Sequence, residues 1–475
     1  MARGRLQFLS KDEIERVHNT SIRVLEQVGV AVHSEPARKM LCDAGAALSK
    51  DGKRVLISEQ LVKECLTATP KSIVLAAREP SMDLRIPTPD QLYVSNGGEG
   101  VHIRNLLTGE SKTPTTEDVR NFALLGDSVQ SVDFIWHMVG ALDQPARLKG
   151  TVEMKVGFES TMKHIQSGAN DALEARSFVK LASILTGGQE ELRKRPIFSC
   201  VQCPISPLIF DKGLTEAQVE FARAGVPVVA MVASVTGLTS PVTLSGSIAQ
   251  INAENLASMV ISQTASKGAP WIFSSDSCPG DLRNGSIDYG ALESILLRTG
   301  TGQMGRFYGL PTMTAGIDLE GSAELLGSVH EGVPHMALMG LVPSDLGSGL
   351  GSLDQAAGAS YEQYIVDAWV WDVAKEFVRD FAADDSAISF DTIREAGLDG
   401  NFLGKRHTLG RFKAESAASR KPEAVMFGRG DSPPRGQLIR RASEEVKRIL
   451  SKPRRKLVSA AEETKIDELL RTIPR

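Results

Sequence analysis

The feature that most constrains this chain is a repeated alternation. From about residue 90 onward, short apolar and often β-branched runs take turns with longer amphipathic stretches. The runs fall at Leu92–Ser95, Phe134–Val139, His164–Ser167, Pro196–Gln202, Val226–Ala233, Trp271–Ser274, Thr312–Ala315 and His335–Leu341. Between them, Asp118–Leu125, Asp171–Leu185, Leu214–Ala224 and Ser247–Ser266 repeat apolar residues at helical spacing. At one junction a helical stretch stops at Ala224-Gly225 and the apolar run Val226-Pro-Val-Val-Ala-Met-Val-Ala233 follows at once. Runs that are apolar at nearly every position suit a parallel sheet covered by helices. Eight such units over roughly 250 residues predict an α/β fold of the (β/α)8 TIM-barrel type. An open doubly wound sheet needs a nucleotide-binding glycine loop after its first strand, and none is read there.

The flanks divide the chain into three parts. Residues 1–90 read as a helical and mixed lead-in packing on the barrel, residues 91–385 as the barrel, and residues 386–475 as a helical C-terminal extension. In the lead-in, Ser10-Lys-Asp-Glu13 is a capping box ahead of Ile14, Val17, Val24, Leu25 and Val28, with Gly29 as the stop. The proline-rich stretch from Pro80 to Pro89 reads as a linker. After Leu341 a Gly/Ser-rich loop, Gly347–Ser352, precedes an expected helix from about Asp354 to Phe381, and another helix is expected near Gln437–Leu450. The basic residues from Lys447 to Lys456 read as a solvated face.

Composition removes whole classes of function. A net charge of −4 is too small, and of the wrong sign, to grip nucleic acid or anionic lipid. No segment approaches the roughly 18 uninterrupted apolar residues that a membrane span requires. The N-terminal Met1-Ala-Arg-Gly-Arg5 has no apolar stretch of signal-peptide type behind it, and five cysteines are an odd number for a disulfide framework. A cytoplasmic protein is expected.

Three local motifs fail in context. Gly300-Thr-Gly302-Gln-Met-Gly305 has dinucleotide-loop spacing but follows an expected helix, Ala291–Arg298, and leads into a strand. Cys200 and Cys203 stand three apart on a strand, which turns the two thiols to opposite faces. His330-Glu331-Gly-Val-Pro-His335 is one residue too long for a zincin helix, so no metal site is expected. A barrel does its chemistry at the C-terminal ends of its strands. There the sequence offers Asn96, Glu99, Trp136, His137, Gln166, Gln202, Ser206, Thr236, Asp276, Asp318 and Ser344. That set is rich in neutral polar groups and poor in Lys and Arg, and suits a cation or zwitterion better than a phosphate. Trp136 and Trp271 are candidates for an aromatic wall against a quaternary ammonium.

A family resemblance is carried by Cys203-Pro-Ile-Ser-Pro-Leu208, Gly225-Val-Pro-Val228, Gly237-Leu-Thr-Ser-Pro-Val-Thr-Leu-Ser-Gly246 and Asn252-Ala-Glu-Asn255. Lys267-Gly-Ala-Pro270, Gly309-Leu-Pro311, Ser360-Tyr-Glu-Gln363 with Asp367, and Asn401-Phe-Leu-Gly404 before His407-Thr-Leu409 extend it. Leu107-Thr-Gly109 and Thr115-Thr-Glu-Asp118 fit upstream. In combination the chain resembles the trimethylamine methyltransferase superfamily, whose members pass a methyl group from an amine to a corrinoid protein and fold as α/β barrels. Two departures stand out. The chain has no pyrrolysine, and Gly316-Ile-Asp-Leu-Glu-Gly-Ser-Ala-Glu-Leu-Leu-Gly327 keeps Asp318 but not the family's Asp-x-Gln-Ala-Gly.

The resemblance implies a methyltransferase of the pyrrolysine-independent branch, similar to the glycine betaine:corrinoid enzymes and part of one-carbon metabolism of the methanogenic kind. A quaternary ammonium departs as a neutral tertiary amine, so no acid has to protonate the leaving group. A Co(I) corrinoid is nucleophilic enough to take the methyl, and the protein's task becomes orientation. Trp136, His137, Gln166, Gln202, Asp276 and Asp318 are expected to line the substrate pocket, with no catalytic residue assigned. The expected partners are a quaternary amine, a corrinoid protein carrying the acceptor, and further copies of this chain. No cofactor is expected to be tightly bound. The alternatives are a barrel enzyme of another class acting on a small amine or zwitterion, and a non-catalytic homologue that binds one.

Overall fold

Eight parallel strands form the centre of the molecule: β1 (Tyr93–Asn96), β2 (Ile135–Trp136), β3 (Ile165–Gly168), β4 (Phe198–Gln202), β5 (Val228–Val232), β6 (Trp271–Ser275), β7 (Thr312–Ala315) and β8 (Leu346–Leu350). The computed structural model describes residues 4–89, 91–319, 326, 329–379, 381–398, 400–415 and 436–474. Consecutive strands pair from β2 through to β8, and β8 pairs back to β1. Backbone bonds close the ring between β1 and β2, from Asp133 N–H to Val94 O at 2.7 Å, Glu99 N–H to His137 O at 2.8 Å and Gly100 N–H to Met138 O at 2.9 Å. A helix follows each strand: α1 (Thr116–Ser128), α2 (Lys149–Ser160), α3 (Ala172–Thr186), α4 (Lys212–Ala224), α5 (Leu244–Ala265), α6 (Leu292–Phe307), α7 (Val329–Gly340) and α8 (Tyr361–Phe377). The expected (β/α)8 barrel is the fold observed.

The eighth strand is a correction. Residues 335–340 belong to α7, and β8 lies in the stretch read as a Gly/Ser-rich loop. Met336, Ala337 and Met339 are buried at helical spacing in a run without β-branched residues, and that run packs on α8. In β8 the glycines are there because neighbours press on them. A Cβ on Gly347 would lie 2.6 Å from Ile317 Cγ1, and one on Gly349, at φ +141°, would lie 2.2 Å from Asp318 Oδ2. The helix expected from Asp354 starts later, at Tyr361, because Asp354, Gln355 and Ala356 turn through left-handed conformations.

The stretch read as a linker is also structured. Leu84–Ile86 pairs antiparallel with Ile73–Leu75, and this hairpin closes the N-terminal end of the barrel. Ala76 N–H donates to Pro196 O and Arg78 N–H to Met162 O, just ahead of β4 and β3. Ile73, Leu75, Leu84 and Ile86 then form one core with Phe134, Val201, Val229, Met231, Ile272, Met313 and Leu346.

An outer layer completes the fold. Helix Lys11–Arg23, with its Ser10–Glu13 capping box in place, lies on α5. Ser21 Oγ donates to Ala249 O at 2.8 Å, and Asn252 Nδ2 donates to Ser21 Oγ at 2.9 Å. This second layer explains why α5 is buried on nearly every side, from Ser247 to Gln263. Its one charge, Glu254, accepts from Ser206 Oγ at 2.7 Å and from Leu208 N–H at 2.9 Å. Helix Gln437–Leu450, at its expected position, buries Leu438, Ile439, Ala442, Val446 and Ile449 against α8 and α1. Between these layers and the barrel, Gly300, Gly302 and Gly305 sit inside α6, so helix–sheet packing accounts for them. Cβ atoms there would come within 2.4 Å of Ile248, 2.7 Å of Pro343 O and 2.3 Å of Thr312. Among the described residues no helix is long and apolar enough to cross a membrane.

Candidate active site

Parity along each strand decides which residues can meet. Side chains at i and i+1 point to opposite faces of a sheet. Trp136 packs against the inner core, whereas its neighbours Ile135 and His137 point outward to the helices. His137 Nδ1 lies 3.3 Å from Ser167 Oγ, and its Nε2 lies 2.7 Å from where a Cβ on Gly157 of α2 would be. Burial holds the imidazole neutral and pushes its pKa down to about 4. Gln202 pairs in register with Ala230 of the outer core, and its Nε2 donates to Ala169 O at 3.4 Å. His137 and Gln202 were expected in the pocket; both stand outside it. Cys200 likewise faces the outer core while Cys203 packs beside the inner one, where burial pushes its thiol up to about 12.

At the C-terminal ends of the strands a narrow cavity of about 50 Å³ brings together Trp136, Asp276, Tyr289, Arg298, Asp318 and Ser348. A water needs roughly 10–15 Å³ of such volume, so the space exceeds that of a single buried water. Three of the six expected residues, Trp136, Asp276 and Asp318, therefore do converge. Gln166 is the register partner of Trp136 and is fully buried, though it does not line the cavity. Its Oε1 accepts from Ser199 Oγ at 3.5 Å and its Nε2 has no partner among the described residues.

Sequence reasoning missed Arg298, Tyr289 and Ser348. Arg298 comes from α6, not from a strand end, and its side chain is 1% exposed. A signal was present, since it is the one charge between Glu293 and Arg306 in a helix of small and apolar residues, and a buried arginine is rare. Its Nη2 stands 3.8 Å from Asp276 Oδ1, and its guanidinium carbon is 5.9 Å from the centre of the Tyr289 ring. Gly316, at φ +83°, lets the backbone pass beside it, because a Cβ there would sit 2.4 Å from Nη1. Tyr289 Oη donates to Asp276 Oδ2 at 3.1 Å. Burial raises the Asp276 carboxyl to about 6, against the pull of the Arg298 charge and the Tyr289 hydroxyl. The Tyr289 hydroxyl is pushed far above its ordinary range, first by the Asp276 charge and then by burial.

The cavity thus has two chemistries. An indole ring, seated so closely on Gly98 that a Cβ there would lie 2.2 Å away, and the carboxylates of Asp276 and Asp318 favour a cation. Opposed to them, Arg298 Nε and Nη2, Trp136 Nε1 and Ser348 Oγ are buried without hydrogen-bond partners among the described residues. No histidine, lysine or cysteine is among the described residues that line the cavity.

The profile of the trimethylamine methyltransferase (MTTB) family matches residues 2–472. A trimethylamine methyltransferase of Desulfitobacterium hafniense is 30% identical over 86% of this chain and 83% of its own length. A glycine betaine methyltransferase from another strain of that organism is 26% identical over 86% of this chain and 85% of its own. In fold, the crystal structure of the Methanosarcina barkeri monomethylamine methyltransferase superposes with a TM-score of 0.50 at 9% identity, covering 96% of this chain and 92% of that one. With a family match spanning nearly the whole sequence and a cavity at the catalytic end of the expected barrel, this chain belongs to the trimethylamine methyltransferase family and is a methyltransferase.

Proposed function

We propose that the chain transfers a methyl group from a quaternary amine to the Co(I) of a corrinoid, delivered to the rim of the barrel by a partner protein in the cytosol. The observation that carries this reading is the cavity wall of Trp136, Asp276 and Asp318 at the C-terminal mouth of a barrel of this family. A cation over an indole face gains about 0.5–2 kcal/mol, enough to orient it without trapping it. Departure of a neutral tertiary amine asks for no proton donor, so the reading assigns that task to none of the described lining residues. The acceptor supplies the nucleophile. The chain's own residues hold the ammonium so that one methyl points out of the mouth, and the walls keep water away. Gln166, beside Trp136, belongs to the same pocket in this reading. Self-association is part of the proposal too, because Phe377, Phe390, Ile393, Leu398, Leu403 and Leu409 are exposed in one stretch of chain. Sedimentation of the purified chain as a monomer would remove that clause.

The test of the reaction is a visible-spectrum assay with chemically reduced cob(I)alamin and a panel of glycine betaine, carnitine, proline betaine, choline and trimethylamine. Decay of the Co(I) band with growth of methyl-Co(III) on a quaternary compound is the expected result. Silence across the panel, repeated with a cognate corrinoid protein, would overturn the reading.

A further inference from the structure

We propose that Asp367 of α8 is a positioning residue for methyl transfer, and that it acts by fixing the direction in which Asp318 turns its carboxylate to the cavity. This rests on the reading of Asp318 as part of the substrate wall. Ser360-Tyr-Glu-Gln363 and Asp367 stand apart from the residues that line the cavity, so the lining gives them no task. Their hydrogen bonds do. Ser360 caps α8, its Oγ accepting from Gln363 N–H at 3.3 Å, and one turn on Gln363 Nε2 donates to Asp367 Oδ1 at 2.7 Å. Asp367 is fully buried, and its Oδ2 accepts at 2.8 Å from the N–H of Gly351, just beyond β8. A third donor is the N–H of Leu319, beyond β7. One side chain of α8 thus ties together the exits of two neighbouring strands.

The peptide between Asp318 and Leu319 is gripped on both edges. Its N–H goes to Asp367, and its C=O accepts from His335 of α7. Just upstream, Ile317 N–H donates to Ser348 O at 2.9 Å. A peptide unit is planar, so holding it on two sides fixes the backbone at Asp318 and with it the Cα–Cβ direction. The carboxylate is then wedged against β8, where a Cβ on Gly349 would lie 2.2 Å from its Oδ2. Placing a second buried carboxylate so near the first works against folding. Burial, and then the Asp318 charge, push the Asp367 carboxyl up, while its hydrogen-bond donors pull the other way. What the carboxylate offers is acceptor capacity. An ionised carboxylate only accepts, so it meets donors from three elements at once, whereas an amide must turn its own donor on one of them. Asparagine at this position keeps the shape and releases a backbone N–H.

A double-mutant cycle on the full chain tests the link. Asp318→Asn and Asp367→Asn should each lower kcat/KM for methyl transfer to cob(I)alamin by about tenfold or more, and the double variant should fall no more than about twofold below the less active single. Val370→Ala, which opens a cavity in the same helix, should lower the urea midpoint and leave kcat/KM per folded molecule unchanged. If Asp367→Asn does not fold, Gln363→Leu takes its place, with a smaller loss that also vanishes in the Asp318→Asn background. Losses that multiply in the double variant, or an Asp367→Asn variant as active as the wild type, would overturn the proposal. Amide hydrogen exchange reads the clamp with no substrate present. Asp367→Asn should speed exchange at Leu319 and Gly351, and unchanged rates at both would overturn the proposal as well. The reading of the cavity fails separately, through an Asp318→Asn variant with full activity or a wild type silent with every amine. In that case the exchange rates alone decide whether Asp367 holds the peptide after Asp318.

Discussion

The two ends of the barrel interior obey opposite rules. At the N-terminal end, Phe134, Val229, Met231, Ile272, Met313 and Leu346 meet the hairpin residues Leu75, Leu84 and Ile86 in a filled apolar core. At the C-terminal end, a few ångströms further along the barrel, Asp318 and Arg298 are buried and Asp276 half-buried around a cavity, and several donors go unmatched. Tight packing stabilises the first end. The second bears desolvated charge and unmade hydrogen bonds, each of which works against folding. The difference teaches where stability and recognition are divided: the hairpin end holds the strands in register so that the cavity end can keep groups that only a ligand satisfies.

That division can be broken experimentally. Phe134→Ala, fully buried at the hairpin end, should cost about 3–5 kcal/mol in urea unfolding while leaving turnover per folded molecule nearly unchanged. A comparable loss of turnover in the folded fraction would mean that the two ends are coupled.

Next in size is an effect of pH. Glu153 of α2, near the rim, accepts from Ala141 N–H at 2.6 Å, and burial lifts its carboxyl to about 7. The folded chain then keeps a proton that the unfolded chain has released between pH 4.5 and 7. Stability contributed by this group is present below that window and lost as pH rises through it. Glu153→Gln should flatten the profile by on the order of 2 kcal/mol between pH 5 and 8. An identical slope in both proteins, by denaturant titration at the two pH values, would show that the strain at this end lies elsewhere.

Smaller still, Trp136→Leu should raise KM for a quaternary amine several-fold, the equivalent of about 0.5–2 kcal/mol, with little change in urea midpoint. Gly98, against which the indole rests, sharpens the point, since Gly98→Ala should reproduce the KM defect by displacing the ring. A drop in stability in Trp136→Leu as large as that of Phe134→Ala would place this residue with the packed end instead.

How much of this was legible in the sequence follows from the same contrast. Seven of the strands announce themselves because buried parallel strands are written in β-branched and aromatic residues. The eighth is Leu346-Gly-Ser-Gly-Leu350, where pressure from Ile317 and Asp318 replaces side chains with hydrogen atoms and erases the strand signature. Trp136, Asp276 and Asp318 reach one cavity because strand ends point to the mouth. His137 and Gln202 face away from that cavity, because strand ends say nothing about parity unless the inward residue is fixed first. Arg298 was out of reach of that rule, since it enters from a helix behind the sheet. The segment from residue 320 to 325, which carries the departure from the family's acidic motif, lies outside the described residues.

The hairpin Ile73–Ile86 has one more consequence, and it concerns the order of events. By stopping the N-terminal end of the barrel it leaves the C-terminal mouth as the doorway among the described residues. In the proposed reaction, amine and acceptor must use that doorway in turn, and the demethylated amine can leave only after the acceptor has withdrawn. Steady-state kinetics should then be compulsory-ordered, amine first, with excess acceptor inhibiting by closing the door on an empty room.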